Sequence, residues 1–398
     1  MINKLKKIAK IILGKDEQDF QNVQEDNALL LERITNHGIS AFLDFSYDNL
    51  KANILSFVNS MKFRESGYEY KYSASCKSPN IYSSAYACMI LSMFGEIEEL
   101  TTSEKQNWAQ YFNSFQNSKD GLFYDESLRN ENYDDSDWWG ARHVALHLIN
   151  AFIALDARPQ YPFYFLEKYY DVTFLKDWLN EQNWLTKFAH SKDTDNKIMN
   201  IVTALQYQRD FWQDKKAEQA VRFIQNYLLS KINPETGMWG YFNTFDKDEL
   251  SRMVMIAYHL FRMYAYDSIN IENKEKIIDL TLRTQNKYGG FGVKLNSSAC
   301  EDIDSIDILI RLSKLTKYKK KEIEIALKKS FIWVMSNQNM DGGFVFHRNE
   351  PMYYGHEQMT SGKNESALFP TWFRTLSIAY LSNYLFDIKF KLVKSPGC

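Results

Sequence analysis

The chain has 398 residues, 45% of them hydrophobic, 25% charged and 15% aromatic, which is the composition of a globular protein with a large core. Its formal charge of −2 gives no electrostatic footprint for nucleic acid. Cys76, Cys88, Cys300 and Cys398 form no CxxC pair, so neither a disulfide framework nor a thiolate zinc site is indicated, and no apolar run reaches the length of a membrane span.

The opening MINKLKKIAKIILG is basic and amphipathic, with Ile2, Leu5, Ile8 and Ile12 at roughly helical spacing. Its apolar stretch is short and broken by Lys, so it reads as a docking helix, with a membrane-surface anchor as the alternative, rather than as a secretory signal. A cytoplasmic location follows, with peripheral contact at the inner membrane face under the second reading. Residues 1–40 form this docking segment, 41–390 the main domain and 391–398 a tail. The main domain is governed by a repeat. Asn233, Asn286 and Asn339 stand 53 residues apart, and each is followed four residues later by Gly and then by an aromatic. Asn117 opens NSKDGLF with the same offset, Asn183 sits in EQNW without its Gly, and Gly67 precedes Gly121 by 54 residues. These make six units.

Each unit reads as helix, Gly-aromatic turn, loop, helix. First helices such as YDNLKANILSFVNSMK, AEQAVRFIQNYLLSKI and KKEIEIALKKSFIWVMSNQ carry one solvated face, as outer helices do. Second helices such as SSAYACMILSMF, WGARHVALHLINAFIAL and TWFRTLSIAYLSNYL are apolar around most of their circumference, as inner helices are. Scarce Pro and Gly (7 and 16) favour long helices over strands. The expected fold is therefore all-α: an (α/α)6 toroid, a double ring of twelve helices, with an open α-solenoid as the alternative. The inner helices are expected to start near Ser83, Asp137, Asn196, Glu249, Asp302 and Phe369, with their N-termini and the longest loops gathered at one mouth.

The mouth collects the residues able to carry chemistry. The second inner helix begins with Asp137, Trp138, Trp139, Arg142, His143 and His147. Trp139, His143 and His147 form one stripe, and Trp138 and Arg142 the next. The two His have zinc-ligand spacing but lack the Glu of HExxH. Their readings are an anion- or proton-handling Arg142–His143 pair, or core packing. Arg252, Arg374 and Lys197 begin other inner helices, where cations need an anion or an internal salt-bridge network. Trp372 joins them. The long segment VFHRNEPMYYGHEQMTSGKNESALFP holds His347, Arg348, Glu350, Tyr353, Tyr354, His356 and Glu357 and reads as a lid. The acidic loop YDESLRNENYDDSD forms the opposite wall in that reading.

TQNKYGGFG and NQNMDGGF resemble the Gln-x-x-x-Gly-Phe/Trp repeat of the terpene cyclase and protein prenyltransferase toroids. The likeness spans nearly the whole chain as a pattern and is sharp in the last two units. GGFGVKLNSSACEDIDSIDILIRL is similar to the squalene–hopene cyclase stretch bearing Asp-x-Asp-Asp. That resemblance makes Asp302 and Asp304 the first two acids and Asp304 the counterpart of the proton donor. Ser305 replaces the last Asp, and Asp307 follows one turn beyond Asp304. Clustered carboxylates raise one another's pKa, whereas a helix N-terminus favours the anions. The alternative is that Asp302 caps the helix and the others pair with Arg or Lys. Protein prenyltransferases hold zinc with Asp, Cys and His. Here Asp302-x-Asp304 stands at the Asp-x-Cys position and Leu376–Ala379 brings no His, so zinc and protein prenylation are not expected.

Three functions remain. The first is a class II terpene-cyclase-like enzyme, an isomerase or lyase that starts carbocation chemistry with an acid on a prenyl or prenyl-diphosphate substrate. It would need no cofactor, with Mg only if the substrate is a diphosphate. The second is a carbohydrate-active hydrolase, lyase or epimerase, including one acting on lipid-linked sugars. The third is a non-catalytic toroid that binds a glycan, lipid or protein.

Overall fold

The computed structural model describes residues 25–65, 67–130, 133, 139–182, 194–292 and 294–397. The basic segment at the start of the chain lies outside them, as do Asp137, Trp138 and Asn183.

Fourteen α-helices are present among the described residues. A lead-in of α1 (Glu25–Arg33), one π-helical turn (Ile34–Gly38) and α2 (Ile39–Leu43) packs on the last outer helix. Gly38 meets that helix so closely that a Cβ would fall 2.3 Å from the Ile332 carbonyl oxygen. The outer helices are α3 (Tyr47–Ser60), α5 (Thr102–Asn113), α7 (Val172–Glu181), α9 (Lys215–Leu229), α11 (Lys274–Arg283) and α13 (Lys320–Ser336). The inner ones are α4 (Ile81–Met93), α6 (Ala141–Ala154), α8 (Thr194–Phe211), α10 (Lys247–Tyr266), α12 (Ala299–Ser313) and α14 (Leu368–Phe386). Each inner helix packs on the next, and α14 packs on α4, so the ring closes. The inner helices run parallel. Arg252 near the start of α10 meets Asp195 at the start of α8, and Gln206 late in α8 meets Met263 and Asp267 at the end of α10. Five of the six inner helices start within three residues of the expected positions; α6 starts at Ala141 rather than near Asp137.

The repeat residues build the turns. Gln116, Gln285 and Gln338 at the outer-helix ends pair in bridges with Phe123, Phe291 and Phe344, and Ile232 pairs likewise with Trp239. The Gln116 amide donates to the carbonyls of Gly121 and Tyr161, and that of Gln285 to Gly289 and Ala326 in the next outer helix. The turn needs one left-handed residue, which only Gly adopts without strain. It is Gly121 and Gly237, four residues after the repeat Asn, but Gly289 and Gly342, three residues after it, in the last two units. Their GGF turns are thus one residue tighter, and the first Gly of each pair takes the left-handed position. At Gly342 a Cβ would fall 1.9 Å from the Asn53 carbonyl oxygen in α3, so this turn of the last unit seats on the first.

Both mouths of the ring are covered. At the N-terminal mouth the long loop forms a small hairpin, Met352–Tyr353 paired antiparallel with Thr360–Ser361. Ser73 Oγ donates to the Thr360 carbonyl, Asn80 Nδ2 to that of Gln358, and the Ser75 N–H to Glu365, fixing the hairpin over the first unit. At the C-terminal mouth the tail lies across three inner helices. Its Lys391 N–H donates to the Met93 carbonyl, Ser395 bonds Asn150, and Gly397 lies against Thr203. Among the described residues no helix is long and apolar enough to cross a membrane.

Candidate active site

The lumen can be mapped by which charges sense one another. In the ring α8 and α12 are separated by α10, as α6 and α10 are by α8. Asp304 on α12 nevertheless feels Asp195 on α8 as well as Arg252 and Arg262 on α10, and His143 and His147 on α6 feel Arg262. Side chains that reach across an intervening helix face the interior, so these groups share the lumen.

Asp304 is fully buried, and its Oδ2 has no hydrogen-bond partner among the described residues. Burial first, then Glu301 and Asp195, push its pKa well above the ordinary carboxylate value, against Arg262 and Arg252. A turn above, the Cys300 thiol is raised by burial and by Asp304, and feels Tyr354 at the tip of the hairpin. Asp304 therefore lies one turn below the lid.

Asp302 behaves differently. Residues two apart on a helix are about 200° apart around its axis. Asp302 accordingly turns toward the outer ring, where it accepts from Trp333 Nε1 at 2.8 Å, Arg374 Nη1 at 2.7 Å, Ser297 Oγ at 2.9 Å and the Phe291 N–H at 2.8 Å. Arg374 spends its remaining donors on the carbonyls of Val345, Ser297 and Phe346. Both are buried to the last atom and tie the fifth and sixth turns together. Asp307 is held by Arg311 Nε at 2.7 Å. Glu301 closes a capping box with Ser298 at the start of α12. The cluster of four acids thus separates into a cap, two ion pairs and one orphan.

On the opposite wall His143 Nδ1 lies 2.9 Å from the Tyr82 hydroxyl, which also accepts from the Gly140 N–H. Burial, His259 and Arg262 push His143 down to about 3. His147 is equally buried, is lowered by burial, His143 and Arg262, and neither ring nitrogen has a partner among the described residues. Both imidazoles are therefore neutral. Tyr86 and Trp372 stack at 5.4 Å beside His147, and Phe369, Phe373 and Tyr258 extend the aromatic lining. Arg262 lies 5.0 Å over the Tyr258 ring. Arg252 and His259 both bond Asp195 at 2.7 Å, and together they outweigh its burial and hold it below its ordinary value. Below Trp372 opens a cavity of about 260 Å³ lined by Met89, Asn150, Arg311, Leu376 and Tyr380 and floored by the tail.

Tyr354 of the hairpin enters from above and stacks on Phe369 at 4.3 Å. Gly355 sits on the Trp139 indole, and His356 stacks on the same ring at 6.1 Å. Asn130 of the acidic loop reaches the Gly355 carbonyl. Arg142 is half-buried beside His143. The structure thus brings Asp304, His143, Arg252, Trp372, Trp139, Tyr354 and His356 to the lumen and its cover, and turns Asp302 and Arg374 away into a structural pair. Sequence reasoning missed Asp195, His259, Arg262, Tyr82 and Tyr86. Arg252, His259 and Arg262 fall at i, i+7 and i+10, one stripe of an otherwise apolar helix, and that spacing was a usable signal. Among the described residues no three His, Cys, Asp or Glu side chains converge as a metal ion requires.

A double helical ring with its polar groups drawn inside is the architecture of the prenyltransferase alpha-alpha toroid. The model of that domain matches residues 37–138 and 166–357, more than half of the chain. The chain belongs to this family. No curated protein matches it.

Proposed function

We propose that the protein is an acid-initiated enzyme of the class II terpene-cyclase type, with Asp304 as the proton donor. The observation that carries this reading is the state of Asp304: a fully buried carboxyl in the lumen, raised well above its ordinary pKa, with an oxygen that no described residue occupies. A carboxylic acid kept neutral by burial and neighbouring charge is suited to donate rather than to pair. The O–H bond of Asp304 would break as a C–H bond forms at the less substituted carbon of an alkene, leaving a carboxylate on the protein and a tertiary cation on the substrate. Arg262 and Arg252 would stabilise that carboxylate. The faces of Tyr86, Trp372, Tyr258 and Phe369 supply cation–π contact for the positive carbon. His147, neutral and without a partner, is placed to take the proton that ends the reaction. The lid of Tyr354 and the tail exclude water, which would otherwise quench the cation.

Protonation leaves a diphosphate intact, so Mg²⁺ would enter only as a screen on a prenyl-diphosphate substrate. A carbohydrate-active enzyme is the second reading, supported by the polar group Asp195, Arg252 and His259 beside Asp304. The test is turnover of prenyl alcohols, prenyl diphosphates and lipid-linked sugars by wild type and Asp304→Asn, with a melt of each. Lost turnover of a prenyl substrate with an unchanged melt supports the proposal. Turnover of sugars alone moves the assignment to the second reading, and full activity of Asp304→Asn removes Asp304 from the chemistry.

A further inference from the structure

Outside the lumen, a cleft of about 500 Å³ opens where the lead-in helices meet the last unit. Arg33 of α1, His37 of the π-helical turn and Arg348 at the start of the lid loop line it. Among the described residues these three belong to no ion pair. Arg33 donates to the carbonyls of Ser336 and Gln338, and Arg348 to the Asn339 side chain at 2.6 Å and to the Ser336 carbonyl at 3.5 Å. Those contacts cap the C-terminal end of α13, where cations are favourable. They do not exhaust the donors. Arg348 is only 6% exposed, and among the described residues neither its Nε nor the buried Nε2 of His37 has a partner.

The electrostatics point the same way. His37 is lowered by burial, Arg33 and Arg348, and Arg348 is lowered by burial, Arg33 and Arg374. Glu32 at the rim is exposed and forms no ion pair with them among the described residues, and Asp341, the acid whose charge acts on Arg348, accepts at its Oδ1 from the Gly343 N–H and Ser366 Oγ. Two guanidiniums and an imidazole lining one cleft, with unsatisfied nitrogens just beneath its wall, make a charge pattern that a compact dianion completes.

We propose that this cleft binds a phosphate-type oxyanion, either free phosphate or a phosphomonoester headgroup, and so stabilises the foot of the lid. Its far wall is the lid's own base, where Asn349 and Asn364 bond each other reciprocally, the Asn349 N–H to Asn364 Oδ1 at 2.8 Å and Asn364 Nδ2 to Asn349 Oδ1 at 3.0 Å. An anion held by Arg348 would fix the residue next to this clasp. The inference does not depend on the chemistry assigned to Asp304.

Inorganic phosphate is the probe, titrated calorimetrically into the full chain against chloride at matched ionic strength. Saturable binding is expected, weakened roughly tenfold or more in Arg348→Gln and severalfold in His37→Leu, with Asp304→Asn binding as wild type. His37→Leu removes a side chain that makes no hydrogen bond among the described residues, so it keeps the test informative if Arg348→Gln folds poorly. Sedimentation with phosphatidylcholine vesicles, with and without phosphatidic acid, separates the sources. Pelleting only with phosphatidic acid, reversed by inorganic phosphate, identifies a lipid headgroup, and calorimetric binding without pelleting identifies a soluble phosphate. Phosphate heat equal to that of chloride, or wild-type affinity in both variants, overturns the proposal.

Discussion

Asp302 and Asp304 are two residues apart and chemically identical, yet the helix assigns them opposite work. Asp302 has four donors around it and an arginine opposite, and Asp304 has an orphan oxygen. Asp302→Asn strands the buried Arg374 and should cost about 3–5 kcal/mol, read as a melting point several degrees lower. Asp304→Asn removes a group whose pKa is raised in the folded state. Above the unfolded carboxylate value of about 3.9 the folded protein holds a proton that the unfolded chain has released, so wild-type stability falls as pH rises through that window. Asp304→Asn should therefore melt at or above wild type at neutral pH, with an advantage that grows from acid toward neutral pH. His143 and His147 work in the other direction. Their folded pKa values lie below the unfolded value near 6.5, so their neutral burial is lost as stability when pH falls below it. Urea midpoints of wild type and a His147→Gln variant at pH 7 and pH 5 should separate, the wild type losing more. The sequence placed both acids in one pocket because it was read by clustering. Helical phase, about 100° per residue, was already enough to part them.

At the level of elements, the repeat was legible because it is enforced by backbone geometry. A left-handed turn that seats against the next outer helix tolerates only Gly, so Gly121, Gly237, Gly289 and Gly342 mark the units in any reading of the chain. The one-residue shortening in the last two units was hidden by their doubled Gly. Gly342→Ala tests the closure of the ring. Its φ of +91° and the Asn53 carbonyl oxygen 1.9 Å from a built Cβ leave no room, so the first and last units must part. The expected cost exceeds the 1 kcal/mol or so of a left-handed strain alone, visible as a lower urea midpoint with the inner-helix site intact at low denaturant. The start of α6 and the site's polar interior were less legible. Gly140, not an acid, precedes that helix, and Arg262 is polar in the middle of an apolar segment, where only the folded ring says which way it points.

The whole molecule is a ring closed above by a hairpin and below by its own tail. The lid was foreseeable from a loop too long for a plain connection. The tail was not, since KSPGC has no pattern, and its place comes from single contacts to Asn150, Met93 and Thr203. Deleting residues 391–398 should uncover Met89, Met93 and Leu376 and raise the binding of an environment-sensitive apolar dye, with α14 and the ring retained by circular dichroism. The central claim, however, concerns a single proton. Infrared difference spectroscopy of wild type against Asp304→Asn at pH 8 observes it without any substrate. The account predicts the carbonyl stretch of a protonated carboxylic acid in wild type, shifted in D₂O and missing in Asp304→Asn. Identical spectra in that region, with only a carboxylate band lost on substitution, would contradict it.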